Sequence, residues 1–162
     1  IPKNESPLDY GALFHTISVC LSKGLGCPVG SVLLGSKEHI AKALRVRKVL
    51  GGGMRQVGYL AAAGIYALEN NWERLEEDHR KAKEIGVLLN GLPFIKKVEP
   101  TETNIVIFEI DERHMSPDDF LDKLNKRDVH IIGMGQNKLR IVTHLDYTDE
   151  MHEEFMGILA KL

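Results

Sequence analysis

Apolar positions come in two rhythms along this chain. In the first third they form short unbroken runs, and further on they recur at three-to-four-residue spacing or alternate with polar residues. Ile17 to Leu21 and Ser31 to Leu34 are apolar on both faces, the pattern of short buried strands inside a larger sheet covered by helices. Ser36 predicts a helix cap, with Glu38 in the first turn and Ile40, Ala43 and Leu44 on one face of a helix reaching about Val49. Val57 to Glu69 is small and apolar, which predicts a buried helix suited to close approach or a subunit contact. Asn71 is expected to cap an amphipathic helix over Trp72 to Asn90, with Leu75, His79, Ala82, Ile85 and Leu89 on one face and Gly91 and Pro93 ending it. The last third predicts strand, strand, helix, strand, strand, helix: Lys96 to Glu99, Asn104 to Ile110, Phe120 to Lys126 opened by Ser116-Pro117, Ile131-Ile132, Leu139 to Val142, and a closing helix opened by Thr148. Gly133-Met134-Gly135 is expected at the turn between the late strands. Together these elements describe a small α+β domain with helices over a largely antiparallel sheet.

Composition places a boundary in this pattern. Residues 1–64 hold ten of the 15 glycines but 11 of the 44 charged side chains, so the first part has the character of scaffold and site loops, and a division is expected near the helix after Asn70. The 21 Lys plus Arg against 23 Asp plus Glu give a net charge of −2, which leaves no basic field for nucleic acid or an anionic membrane and points to a small-molecule substrate. No apolar run approaches the roughly 18 residues of a membrane span. Cys20 and Cys27 lack metal-ligand spacing, make no disulfide framework and suit a reducing cytoplasm. His79 has no companion ligands, so it is expected to be a packed helix residue, and no metal is expected. The chain opens on Ile1 without signal-peptide logic, which leads us to expect the later part of a longer protein.

Three places carry candidate chemistry. The run Ile17 to Leu21 delivers Lys23 to a loop containing Gly24, Gly26 and Gly30, and an apolar strand end can both direct and desolvate a lysine that attacks a carbonyl; a solvated turn lysine is the plain alternative. Gly51-Gly52-Gly53, flanked by Lys48 and Arg55, can bring amides close to a phosphate or serve as a helix connection. Arg140 alternates within a strand, where a side chain is usually solvent-facing.

The wording of two stretches narrows these alternatives. SVCLSKGLGCPVGS at 18–31 and LRVRKVLGGGMRQVGYLAAA at 44–63 resemble the low-specificity L-threonine aldolases of the pyridoxal-phosphate-dependent aspartate aminotransferase superfamily, in their C-terminal part. The resemblance implies an α/β fold, the C-terminal part of fold type I: the end of a large, mainly parallel-sheet domain over 1–70, a connecting helix over 71–92, and a small α+β domain over 93–162. It implies that Lys23 is the Schiff-base lysine, that Lys48 and Arg55 lie at the cofactor phosphate and a subunit contact, and that Arg140 in RIVTHLD binds the substrate carboxylate, with His144 structural. It implies retro-aldol cleavage of L-threonine or L-allo-threonine to glycine and acetaldehyde, pyridoxal 5'-phosphate as cofactor, and a homo-oligomer, dimer or tetramer. The family's ring-pairing aspartate and ring-stacking histidine belong to an upstream portion, so these 162 residues alone are expected to be inactive. Another pyridoxal-phosphate reaction, such as hydroxymethyl transfer or β-elimination, and a non-catalytic assembly partner stay open as alternatives.

Overall fold

A computed structural model describes residues 5–162; the opening residue Ile1, on which the expectation of a longer protein rests, lies outside them. The chain divides between Arg74 and Leu75 into two compact units.

The first unit begins with α1 (Pro7–Leu13). Ser6 caps it by accepting from the Leu8 amide at 3.2 Å, while the Asp9 carboxylate accepts from the Ser6 amide at 3.1 Å, a reciprocal cap with proline in the first turn. The strands β1 (Thr16–Cys20) and β2 (Ser31–Gly35) pair antiparallel, from Thr16 opposite Gly35 to Cys20 opposite Ser31. The pair stands as a two-stranded sheet, and β2 is exposed along its length, so the buried strands expected from the apolar runs are uncovered here. Helix α2 (Lys37–Val49) starts as expected, the Ser36 hydroxyl accepting from the His39 amide at 3.2 Å. Helix α3 (Gly58–Asn70) buries Gly64 and Ala67 but leaves Tyr59, Ile65, Tyr66 and Leu68 exposed, against the expectation of an all-round buried helix. Asn71 ends this helix rather than starting the next: its amide bonds the Ala67 carbonyl at 2.8 Å and its side chain donates to the Leu25 carbonyl at 2.8 Å.

The second unit opens with α4 (Leu75–Asn90), three residues later than its periodicity suggested, because Trp72 to Arg74 form a turn. The strands β3 (Ile95–Val98) and β4 (Ile105–Ile110), the helix α5 (Pro117–Asn125), the strands β5 (Ile132–Gly135) and β6 (Lys138–Val142), and the helix α6 (Asp149–Leu159) follow. Both late helices have the caps the sequence announces, Ser116 accepting from Asp119 and Thr148 from Met151. The sheet has the order β3-β4-β6-β5 with every neighbouring pair antiparallel. Its hairpin turn lies at Gln136-Asn137, both left-handed at φ 50° and 61°, and Gly133-Met134-Gly135 belongs to β5 instead of the turn. A two-residue turn of this hand matches strand twist, which asparagine tolerates. Val106, Phe108, Ile110, Leu139 and Ile141 point from one face of the sheet into a core shared with Ile85, Leu89, Phe120, Leu124, Phe155 and Leu159. Alternation along β6 therefore turns Arg140 to the opposite face. No helix among the described residues is long and apolar enough to cross a membrane.

Candidate functional site

The Lys23 loop is held by its backbone. Where β1 ends, the Leu21 amide bonds the Gly30 carbonyl, the Cys27 amide bonds the Leu21 carbonyl, both at 3.0 Å, and the Gly26 amide returns to the Lys23 carbonyl at 2.8 Å. Gly26 and Gly30 take φ of 73° and 122°, conformations that side chains resist, so the turn needs glycine at these points. Leu21, Leu25 and Cys27 are the loop's buried anchors. A Cβ on Gly64 would stand 3.1 Å from Leu21 Cδ1, so the small residue in α3 is what lets the loop root seat so closely. Cys27 Sγ reaches the Ala63 carbonyl at 3.6 Å, and Arg74 donates to the Gly24 carbonyl at 3.2 Å. Lys23 itself is exposed at the head of this fixed loop. The backbone bonds fix the loop that carries Lys23, and the burial in this stretch lies at Leu21, Leu25 and Cys27 and not at the lysine. Ser22, which accompanies it, hydrogen-bonds Cys20 Sγ at 3.3 Å, and this contact lowers the thiol from its ordinary value.

The glycine triplet divides its amides between two tasks. The Gly51 amide bonds the Lys48 carbonyl at 3.1 Å and the Gly52 amide bonds the Arg47 carbonyl at 2.7 Å, with Gly51 left-handed at φ 84°. These two close the C-terminus of α2. The helix-connection reading therefore accounts for Gly51 and Gly52, and an anion would meet the loop farther on. There Lys48 Nζ lies 3.1 Å from where a Cβ on Gly53 would stand, and Gly52 has no room for a side chain beside Arg47 Cγ at 2.6 Å. Lys48 and Arg55 are both exposed, and Gln56, next to Arg55, holds a left-handed φ of 53°. The loop is a cationic, backbone-shaped surface rather than a closed cradle.

Arg140 lies in the second unit, on the sheet face away from the core, opposite Ile107 on β4 and Ile132 on β5. It is half-buried, its Nε is buried without a hydrogen-bond partner, and among the described residues no carboxylate pairs with it. A guanidinium in that state costs about 1–3 kcal/mol per unmet donor until an acceptor arrives. It lines a cavity of about 690 Å³ whose walls include His130, Ile132, His144, Tyr147 and Met151. His144, read as structural, is exposed there and accepts from the Asp146 amide at 3.2 Å through Nδ1. The solvent-facing reading of Arg140 is thereby replaced by a pocket-facing one. Lys23, Lys48 and Arg55 belong to the first unit and Arg140 to the second.

Behind the Arg140 cavity lies a polar group that sequence periodicity did not single out. His152 and Lys81 are buried, and Glu84 and Tyr147 join them in one bonded set. Its signal was present in α4, where Asp78, Lys81, Ala82 and Ile85 share the inward face at helical spacing.

Comparison with known proteins follows the same lines. Residues 3–113 match the beta-eliminating lyase family. The chain is 41% identical over 141 residues to the low specificity L-threonine aldolase of Escherichia coli (strain K12), covering 86% of this chain and 40% of that protein. It is 41% identical over 135 residues to low-specificity L-threonine aldolase 1 of Arabidopsis thaliana, covering 82% and 38%. The chain thus spans about two fifths of the length of these curated relatives. Among solved structures it is similar to one from Exiguobacterium sp. 255-15, provisionally named an aromatic amino acid beta-eliminating lyase/threonine aldolase (TM-score 0.76, 17% identity, 99% of this chain and 48% of that one). It is also similar to histidinol-phosphate aminotransferase of Clostridium acetobutylicum (TM-score 0.65, 19% identity, 96% and 48%).

Proposed function

The chain belongs to the beta-eliminating lyase family and has the fold of the C-terminal portion of pyridoxal-phosphate fold type I enzymes, and from that premise we propose that it is part of a low-specificity L-threonine aldolase that cleaves L-threonine or L-allo-threonine to glycine and acetaldehyde. The observation that carries this reading is the Lys23 loop, whose backbone is fixed by three hydrogen bonds while its single lysine stays accessible.

The residues present fit pyridoxal phosphate. Lys23 would hold it covalently, and Lys48 and Arg55, on the open side of the glycine loop, would meet its phosphate. When bound, the cofactor supplies an electron sink for the pair released as the Cα–Cβ bond of a β-hydroxy amino acid breaks. Arg140 binds the amino-acid carboxylate through a planar fork, satisfying the buried Nε and orienting the bond that breaks. Lys23 Nζ, accessible at its loop head, would be the group that carries a proton. The exposed apolar face of α3, with Tyr59, Ile65 and Tyr66, supports assembly as a dimer or tetramer.

Borohydride reduction of the cofactor-loaded full-length protein, followed by peptide mapping, tests the reading. The expected result is cofactor trapped on Lys23, with trapping lost in Lys23→Ala; trapping on another lysine would overturn it.

A further inference from the structure

The guanidinium of Arg140 has no ion pair to orient it among the described residues, and an arginine side chain has many rotamers open to it. The space open to it is bounded by Ile107 and Ile132 on the neighbouring strands and by the walls of the cavity it lines. Strand β6 is pinned just past Arg140: the Thr143 amide bonds the Asn104 carbonyl at 3.0 Å, the Asn104 side chain returns to the Thr143 carbonyl at 2.8 Å, and the Thr143 hydroxyl donates to the Asp78 carbonyl at 2.6 Å. Beyond Thr143 the chain runs over the surface through His144, Leu145 and Asp146, all exposed. Tyr147 is where it turns inward again, and its ring is a wall of the same cavity.

Tyr147 is gripped at both ends. The buried Lys81 donates to its carbonyl at 2.8 Å, lies 5.5 Å from the ring centroid, and is itself balanced by Asp149 at 2.9 Å. At the other end the phenol meets His152 Nδ1 at 3.2 Å, while His152 Nε2 lies 2.8 Å from Glu84 Oε2. The direction of each proton follows from the partners. Glu84 is held below the usual carboxylate range by His152 and Arg80, so it accepts, and Nε2 must donate. In the tautomer that carries its hydrogen on Nε2, the ring leaves Nδ1 as an acceptor, and the Tyr147 hydroxyl donates to it. Burial raises the phenol above its usual value, which keeps that proton in place.

We propose that Tyr147 is a positioning residue for the carboxylate site: the Glu84–His152–Tyr147 hydrogen-bonded chain, anchored on α4, holds the cavity wall that sets the guanidinium of Arg140. The inference rests on the reading of Arg140 as the carboxylate binder, and it extends the site to a helix whose residues do not line the cavity. Two measurements on the full-length protein test it, amino-acid affinity for the cofactor-loaded enzyme and hydrogen exchange of the Arg140 Nε–H. Tyr147→Phe keeps the ring and removes the hydroxyl; it should weaken amino-acid binding about tenfold and speed Nε–H exchange by a similar factor. Glu84→Ala should produce the same pair of changes, and Glu84→Gln, which keeps an acceptor for His152, should recover most of both. Unchanged affinity and unchanged exchange in Tyr147→Phe and Glu84→Ala would overturn the proposal. Arg140→Ala separates the two layers: if it leaves amino-acid affinity intact, the carboxylate reading fails, and Nε–H exchange in Tyr147→Phe still decides whether Tyr147 positions the arginine.

Discussion

The two units are of similar length and are stabilised by different means. In the second, thirteen apolar side chains between Ala82 and Leu159 form one continuous core beneath a four-stranded sheet. In the first, burial is concentrated at Leu21, Leu25, Cys27 and Ala67, while Val32, Leu33 and Leu34 of β2 and Leu50 and Tyr59 stand exposed. Its order is local, made of caps, glycine turns and the hydrogen bonds around Lys23. The contrast separates two uses of apolar residues: those of the second unit cover one another, and those of the first present surface that a further layer can cover. Candidate chemistry follows the same division. The lysine proposed to hold the cofactor stands on the loosely cored unit, and the arginine proposed to bind the carboxylate stands on the self-sufficient one.

Hydrogen exchange on the isolated 162-residue chain should show this difference at its largest. Amides of Val106, Phe108 and Leu139 should exchange only through global opening of the second unit, whereas those of β1 and β2 should exchange at least about a thousandfold faster, an opening difference of roughly 4 kcal/mol. Equal, slow protection in both units would break the comparison, because a two-stranded sheet with open faces is marginal in water.

Phe120→Ala probes the core directly. Phe120 is fully buried, with ring centroids 5.8 Å from both Phe94 and Phe108, so truncation should cost the second unit roughly 3–5 kcal/mol, read as a fall in its denaturant midpoint. That is a large share of a domain's stability. Signals from the first unit should hardly move, and a loss of β1–β2 order in step with the second unit would show that the two are energetically one.

The legibility of each unit in the sequence follows from the same contrast. Where a segment completes its own core, the pattern was sufficient: the antiparallel sheet, the caps at Ser116 and Thr148, and the inward faces of β4 and β6 all follow from alternation and helix-start chemistry. Where the partners of a segment are not neighbours in sequence, it was not. The apolar runs of β1 and β2 imply burial but not what provides it. Lys23 was legible as a lysine on a glycine turn at a strand end, and its exposure is that of the solvated alternative the same pattern allows. Helix α1 has its signal in Ser6-Pro7 and Asp9, a cap too short to outweigh the absence of a clear apolar face. The turn at Gln136-Asn137 was hidden because neighbouring glycines are stronger turn formers. The Glu84–His152–Tyr147 chain spans residues 68 apart, beyond the reach of periodicity.

A surface substitution sharpens the comparison at a smaller scale. Leu34→Thr removes an apolar side chain that is 49% exposed and introduces a β-branched residue suited to a strand. In the isolated chain it should change stability by less than about 0.5 kcal/mol and reduce self-association measured by sedimentation. A loss of several kcal/mol would mean that β2 is covered after all.

The smallest effect concerns acid. Among the described residues, every carboxylate whose ionised form is clearly favoured, namely Glu84, Glu99, Asp111, Asp149 and Glu150, lies in the second unit. For Glu84 the cause is first the hydrogen bond from His152 and then the one from Arg80. A carboxyl depressed in the folded state contributes stability that is fully present above its unfolded value, near 4.5, and is lost as pH falls through the lower folded value. The side chain of Glu84 is 43% exposed, so solvent screening limits its share to a few tenths of a kcal/mol. Melting of the second unit should therefore shift down slightly between about pH 5 and pH 3, and Glu84→Gln should flatten part of that slope while leaving the neutral-pH profile of the first unit alone. If Glu84→Gln instead steepens the acid slope, Glu84 is not held ionised by His152, and the proton order assigned to the chain behind Tyr147 is reversed.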